Sequence, residues 1–180
     1  VTVTDVNNCS AELTITIEQP ELLVVTETHT DVLCYDDNGT SDDGTIDISV
    51  TGGTSPYTYA RSNSATTQDL SDLAAGTYMV TVSDANNCTA VISITIEQPE
   101  QLTLTATDHD ASCNGAEDGS VDLTVTGGTS PYTYLWSNNA TTEDLTGVAS
   151  GTYMVTVTDA NNCVAVTSVT VGQPSTLAVT

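Results

Sequence analysis

The chain has almost no positive charge. One arginine, Arg61, and no lysine face 24 acidic residues, for a formal net charge of −23. Such a surface repels polyanions, which excludes nucleic acid and anionic membrane as partners. No apolar run approaches the ~20 residues of a membrane-spanning helix, and no segment shows the apolar period of an amphipathic helix. The five cysteines form no Cys-x-x-Cys pair, and His29 and His109 stand apart from one another, so zinc has no ligand spacing to rest on. The histidines have acidic neighbours in Asp31, Asp108 and Asp110, but no Gly-x-Ser-x-Gly or comparable nucleophile motif accompanies them. A glycosidase carboxylate pair would need a deep cleft that small domains do not offer. Catalysis is therefore not expected.

What is present is repetition. Thr-Gly-Gly-Thr-Ser-Pro-Tyr-Thr-Tyr at 51–59 recurs unchanged at 126–134, and the segment 76–88 recurs at 151–163 with one change, Ser83 to Thr158. Gln-Pro closes a unit at 19–20, 98–99 and 173–174. Self-similarity at the length of a small β-domain predicts tandem modules rather than one large core. The expected division is residues 1–20 as the last part of one repeat, 21–99 and 100–174 as complete repeats, and 175–180 as the start of another. The chain then reads as a window on a longer array. The two complete repeats differ in length between residues 34 and 44, where an acidic stretch is longer in the first, and length variation marks a loop.

Alternation fixes the fold class. Ile46, Ile48 and Val50 alternate with Asp47, Ser49 and Thr51, and the same pattern recurs at Val121, Leu123 and Val125. Tyr78, Val80 and Val82, and then Ile92, Ile94 and Ile96, repeat it, which is the period-two signature of strands with one buried face. A charged fraction of 14% together with this patterning separates the chain from an acidic disordered tail. Strands are expected at about 22–28, 45–51, 57–61, 77–83 and 89–96, with a weak polar stretch around Leu70 and Leu73. The predicted fold is all-β: tandem immunoglobulin-like antiparallel β-sandwich repeats stacked end to end, about 35–45 Å apart if strands rise ~3.3 Å per residue.

Within that fold, Tyr78 and Tyr153 stand where such sandwiches place a tyrosine corner, and Trp136 is expected in the core. Arg61 holds the corresponding place in the first repeat. It is expected either to snorkel at a rim or to pair with a carboxylate, leaving that repeat the less stable one.

The cysteines fall at two equivalent places, Cys34 with Cys113, and Cys9 with Cys88 and Cys163. Disulfides in an oxidising compartment fit them. Pairing within a repeat, Cys34 with Cys88 and Cys113 with Cys163, is the default. Topology opposes it, because parallel first and last strands put Cys34 and Cys88 at opposite poles, ~23 Å apart, whereas a disulfide needs Cα atoms within about 7 Å. In a head-to-tail stack Cys34 meets Cys163 instead, Cys113 pairs with a cysteine beyond the window, and Cys9 and Cys88 pair with cysteines upstream. Both connectivities stand at this point.

The acidic loop gathers hard oxygen donors. Asp36, Asp37, Asn38, Asp42 and Asp43, joined at a stacked junction by Asp159, are candidate calcium ligands, as Asn114, Glu117 and Asp118 are in the second repeat, although the spacing is not that of an EF-hand. Asn-x-Ser/Thr patterns at Asn8, Asn38, Asn87 and Asn139 are frequent by chance in such a sequence and carry little weight.

The order of motifs resembles a known family. Cysteine, then Asp-Gly-Ser/Thr, Thr-Gly-Gly-Thr-Ser-Pro-Tyr-Thr-Tyr, Gly-Thr-Tyr, Asp-Ala-Asn-Asn-Cys and a closing Gln-Pro is similar to the SprB-type repeat of large cell-surface adhesins in gliding Bacteroidota. The resemblance covers both complete repeats and both partial ones. Two departures are Arg61 in the place of an aromatic, and Asn87 and Asn162 where the family often has glycine. The resemblance implies an extracellular, surface-attached protein exported through the type IX system, whose filament adheres to a substratum. A stalk segment carrying length and tension is the expected role, with neighbouring repeats of the same chain as partners. A module binding surface polysaccharide and a subunit of a laterally polymerised sheath are the alternatives. Carbohydrate platforms need exposed rings, whereas Tyr132, Tyr134 and Trp136 share one strand face.

Overall fold

The computed structural model describes residues 1–35 and 42–178, and every regular element in them is a strand. A short hairpin of β1 (Thr2–Thr4) and β2 (Ser10–Glu12) comes first. The first sandwich follows with β3 (Val24–Thr30), β4 (Gly44–Thr51), β5 (Thr58–Arg61), β6 (Leu70–Leu73), β7 (Gly76–Ser83) and β8 (Thr89–Ile96). The second contains β9 (Thr103–His109), β10 (Gly119–Thr126), β11 (Thr133–Trp136), β12 (Leu145–Val148), β13 (Gly151–Thr158) and β14 (Val164–Val171).

Both sandwiches use one plan. The sheet β3-β4-β6 packs on β5-β7-β8, and β9-β10-β12 packs on β11-β13-β14, with every hydrogen-bonded pair antiparallel. First, second and fourth strands in one sheet, with third, fifth and sixth in the other, is the immunoglobulin-like arrangement. Each sandwich closes on its own core: Ile46, Ile48, Val80, Val82, Ile94 and Ile96 in the first, and Val121, Leu123, Trp136, Val155, Val157 and Val171 among those of the second. No buried residue belongs to both clusters, so the repetition in sequence is a repetition of cores.

The first and last strands of each sandwich end side by side. The Val32 N–H donates to the Glu97 carbonyl at 3.0 Å, and Asp31 Oδ1 accepts the Glu97 N–H at 2.8 Å. Ala111, Asp110 and Gly172 repeat the arrangement at 3.0 and 2.7 Å. The chain therefore enters each sandwich at one pole and leaves at the other.

Two expectations need correction. The polar stretch around Leu70 and Leu73 is the strand β6, irregular in its pairing with β4 between Gly44 and Ile46. Asp72 takes φ 56° there, as Gly147 takes 66° in β12, and this bulge brings side chains three apart onto one face. A period of two cannot detect that strand. Arg61, in turn, is 8% exposed, and neither snorkels nor meets a carboxylate. Its guanidinium donates from Nε to the Thr67 carbonyl at 3.1 Å and from Nη2 to the Gln68 carbonyl, while Nη1 is buried without a partner. Burial lowers its pKa from the ordinary value, against the opposing pull of Asp69 and Tyr59.

The hairpin β1–β2 and its flanking residues repeat the sequence of β7–β8. Val1, Val3, Ile15 and Ile17 align with Val80, Val82, Ile94 and Ile96, which are buried, yet all four are exposed.

Candidate functional site at the junction between sandwiches

The two sandwiches meet where β3 and β8 of the first end and where the loops β10–β11 and β13–β14 of the second turn. Four short devices build this junction from local sequence.

The first is an aspartate turn. In Asp-Ala-Asn-Asn-Cys the carboxylate of Asp159 accepts the N–H groups of Asn161 and Cys163 through Oδ1, at 2.9 and 2.8 Å, and that of Thr129 through Oδ2 at 2.8 Å. Asp84 makes the same three contacts with Asn86, Cys88 and Thr54. Each aspartate thereby sets the position of the cysteine four residues on and ties it to the neighbouring loop. Burial works to raise the Asp84 pKa, but the N–H donations of Cys88, Thr54 and Asn86 outweigh it and hold the carboxyl below its ordinary value. Asn87 and Asn162 follow at φ 64° and 67°, a left-handed conformation that asparagine tolerates, which explains how they stand in for glycine.

The second is the Thr-Gly-Gly-Thr loop. The Gly53 and Gly128 N–H groups each donate at 2.8 Å to the carbonyl of the glutamate that follows Gln-Pro, Glu21 and Glu100. Gly52 and Gly127 have φ 68° and 70°, and a Cβ on either would fall 2.0 Å from the carbonyl oxygen of Leu22 or Gln101. The loop thus grips the chain as it passes from one sandwich to the next, and that grip delays the start of β3 to Val24, two residues later than the alternation suggested. The tyrosines after the loop help: Tyr57 and Tyr132 donate to the Gly52 and Gly127 carbonyls at 2.6 Å.

The third device holds the opposite pole. The Leu33 N–H donates to Asp43 Oδ1 at 3.1 Å, and the Ser112 N–H to Asp118 Oδ1 at 2.9 Å, so an acidic residue just before β4 or β10 orients the segment carrying Cys34 or Cys113. Hydrogen bonds from Ser112 lower the Asp118 pKa.

The fourth is covalent. Cys34 and Cys163 form a disulfide with Cα atoms 5.6 Å apart and a sequence separation of 129, linking the end of the first strand of one sandwich to the opening of the last strand of the next. Beside it, Asn161 Nδ2 donates to the Leu33 carbonyl at 2.9 Å, and Tyr35 lines a cavity of about 140 Å³ with Pro99, Glu100, Leu102, Gly128 and Asp159. A matching cavity of about 340 Å³ lies at the near pole of the first sandwich, lined by Pro20, Glu21, Leu23, Gly53, Asp84 and Cys88. These are the same positions of the repeat, without a tyrosine from another sandwich. Cys9, Cys88 and Cys113 carry exposed thiols.

Among the expected site residues, Tyr78 and Tyr153 donate to the Ala74 and Ala149 carbonyls at 2.9 and 2.8 Å, the hydrogen bond of a tyrosine corner. Trp136 is 1% exposed and donates from Nε1 to the Thr142 carbonyl at 2.9 Å. Asp36, Asp37 and Asn38 lie outside the described residues. Asp43 and Asp159 are engaged with the backbone donors given above, and Asp42 is exposed. Among the described residues no group of three or more histidine, cysteine or acidic side chains is placed to hold a metal ion. His29 and His109 lie in different sandwiches; Nδ1 of His29 contacts Glu27 at 2.9 Å, and that hydrogen bond raises its pKa. No helix among the described residues is long and apolar enough to cross a membrane. The contributions of Tyr35, Asn161, Asp84 and Thr129 were not read from sequence, although Asp-x-Asn-x-Cys is a recognisable aspartate-turn spacing.

Comparison with known proteins gives a repeat-model match over two segments of the chain and no curated relative. Among solved structures, a C-terminal fragment of intimin, crystallised with the intimin-binding domain of the translocated intimin receptor, is 18% identical with a TM-score of 0.40. The match covers 86% of this chain, which spans 64% of that fragment. An amphioxus IgVJ-C2 molecule is 12% identical with a TM-score of 0.34, covering 87% of this chain and 99% of that one. The sandwich assignment rests on strand order alone. In each sandwich the stretch from the first strand to just past the third, residues 26–66 and 105–141, matches the family model of the SprB repeat.

Proposed function

We propose that the chain is a structural stalk segment of a secreted, surface-attached adhesin, in which SprB repeats joined head to tail carry length and tension for gliding motility. The observation that carries this reading is the Cys34–Cys163 disulfide, because it staples one sandwich to the next rather than stabilising either alone. Further support comes from the opposite-pole entry and exit of each sandwich. Export through the type IX system and attachment at the cell surface belong to the same reading and rest on the repeat family.

A polysaccharide-binding module is less well supported. Trp136 is buried, Tyr57, Tyr59, Tyr132 and Tyr134 are half-buried against the cores, and Tyr35 is a lone exposed ring at the junction, so the two sandwiches offer no platform of several exposed aromatics among the described residues. Small-angle scattering of the purified chain tests the stalk: an elongated particle with two centres roughly 35–45 Å apart is expected, and a compact globular pair overturns it. Labelling of intact cells with antibody against the repeat tests the location.

A further inference from the structure

We infer that the junction disulfide takes the sandwiches off the load path, so that an array of these repeats is covalently inextensible. The inference deepens the stalk reading and rests on it for its biological setting. Its physical basis lies in the connectivity alone.

Tension entering the first sandwich at Glu21 runs along β3 to Cys34, at the far pole. There the disulfide passes it to Cys163, at the near pole of the second sandwich, and β14 carries it to Gln173 at that sandwich's far pole. Two strands and one covalent bridge thus span both sandwiches. Everything between Cys34 and Cys163 hangs beside the path as a closed loop. The strands on the path already rise ~3.3 Å per residue, close to the ~3.3–3.6 Å limit of a taut chain. Unfolding both cores adds almost no length. Without the bridge, a sandwich of this size would release roughly 200 Å on unfolding, from ~75 residues at ~3.4 Å less its folded length.

Cys88 and Cys113 are built to the same design. Cys88 opens β8, the chain continues through the Glu100 grip into β9, and Cys113 follows at the far pole of the second sandwich, again with most of the intervening residues extended. Cys88 has the aspartate turn and cavity that Cys163 has, and Cys113 the acidic anchor that Cys34 has. Their partners are the corresponding cysteines of adjoining repeats. Each bond forms by thiol–disulfide exchange with the disulfide of an oxidising protein, which takes up the two electrons and two protons and leaves as a dithiol. The array then holds two interleaved threads offset by one repeat, each crossing sandwiches only along first and last strands.

Single-molecule force extension of the 180-residue chain, held at its two ends, tests the bypass. The oxidised chain is expected to rupture without any step near 200 Å. The same chain in reductant, or carrying Cys34→Ser or Cys163→Ser, is expected to give two steps of roughly 200 Å each. Two such steps in oxidised chain, with the Cys34–Cys163 bond verified on the same sample, overturn the inference. If either variant fails to fold, reductant added to the native chain supplies the comparison. These traces do not depend on where the parent protein resides, so a failed surface-labelling experiment leaves them intact. For the second thread, non-reducing peptide mapping of the array purified from cells should give Cys88 and Cys113 linked to cysteines of adjoining repeats. Recovery of both as alkylatable thiols removes it.

Discussion

Arg61 and Trp136 occupy the same place in the two sandwiches and donate to the same carbonyl of the repeat, Nε of Arg61 to Thr67 at 3.1 Å and Nε1 of Trp136 to Thr142 at 2.9 Å. The arginine preserves the hydrogen bond of the indole while bringing a positive charge and an unpartnered Nη1 into an apolar setting. Replacing a buried, incompletely paired charge by a hydrophobe that the equivalent site of the second sandwich accommodates is stabilising. Arg61→Trp is therefore expected to raise the stability of the first sandwich by about 1–3 kcal/mol, measured by calorimetry on the isolated chain. An unchanged or lower transition would show that the carbonyl contacts of Arg61 offset its burial fully.

Disulfide connectivity has a direct chemical test. Trypsin is of little use with Arg61 as the sole arginine or lysine, so cleavage at acidic residues under non-reducing conditions is the suitable digest. The expected product links a peptide containing Cys34 to one containing Cys163, and a Cys34–Cys88 peptide sinks the junction staple. Loss of the bond through Cys34→Ser opens a 129-residue loop, for which the chain-entropy relation gives about 5 kcal/mol shared between the two sandwiches. Both calorimetric transitions should move down, not one alone.

The pH dependence follows from the shifted groups. The Asp84 and Asp118 carboxyls lie below their ordinary values, so the stability they contribute is present above the ordinary carboxylate range and is lost as pH falls through their folded values. His29 is shifted the other way, and its contribution is present below the unfolded histidine value and lost as pH rises through its raised folded value. Denaturant midpoints against pH should fall steeply in acid. Asp84→Asn should flatten the acid limb, and an unaltered limb would remove the aspartate turn from the account.

Calcium binding by Asp36, Asp37, Asn38, Asp42, Asp43 and Asp159, an expectation from the sequence, is proposed apart from the stalk. Its support is the run of acidic residues that follows Cys34 in the sequence. Millimolar calcium added to chelator-treated protein should then raise the melting temperature through preferential binding to the folded state. Superimposable melting curves eliminate the ion.

Much of the fold was legible because its strands alternate. Ile46, Ile48, Val80 and Val82, picked out by period two, are all fully buried. β6 escaped because the bulge at Asp72 replaces a spacing of two by three. The fate of Arg61 escaped because backbone carbonyls, unlike carboxylates, leave no mark on a sequence. The junction was legible in its cysteines and in the position of Asp159, whose carboxylate was read as a cation ligand and not as an acceptor of backbone N–H groups. Tyr35 and Asn161 act there through contacts between separate loops, and those contacts exist only once the strands have fixed where each loop stands.

The opposite-pole entry and exit of each sandwich also bears on how such a protein grows. A duplicated segment running from one Gln-Pro to the next arrives with its own core, its own grip on the incoming chain and one cysteine for each pole. Inserted into an existing array, it lengthens the molecule by one body and leaves each older surface with the neighbour type it had before. Reach is then set by copy number in the gene. Recombination between near-identical stretches such as 51–59 and 126–134 can adjust that reach without a single new contact having to evolve.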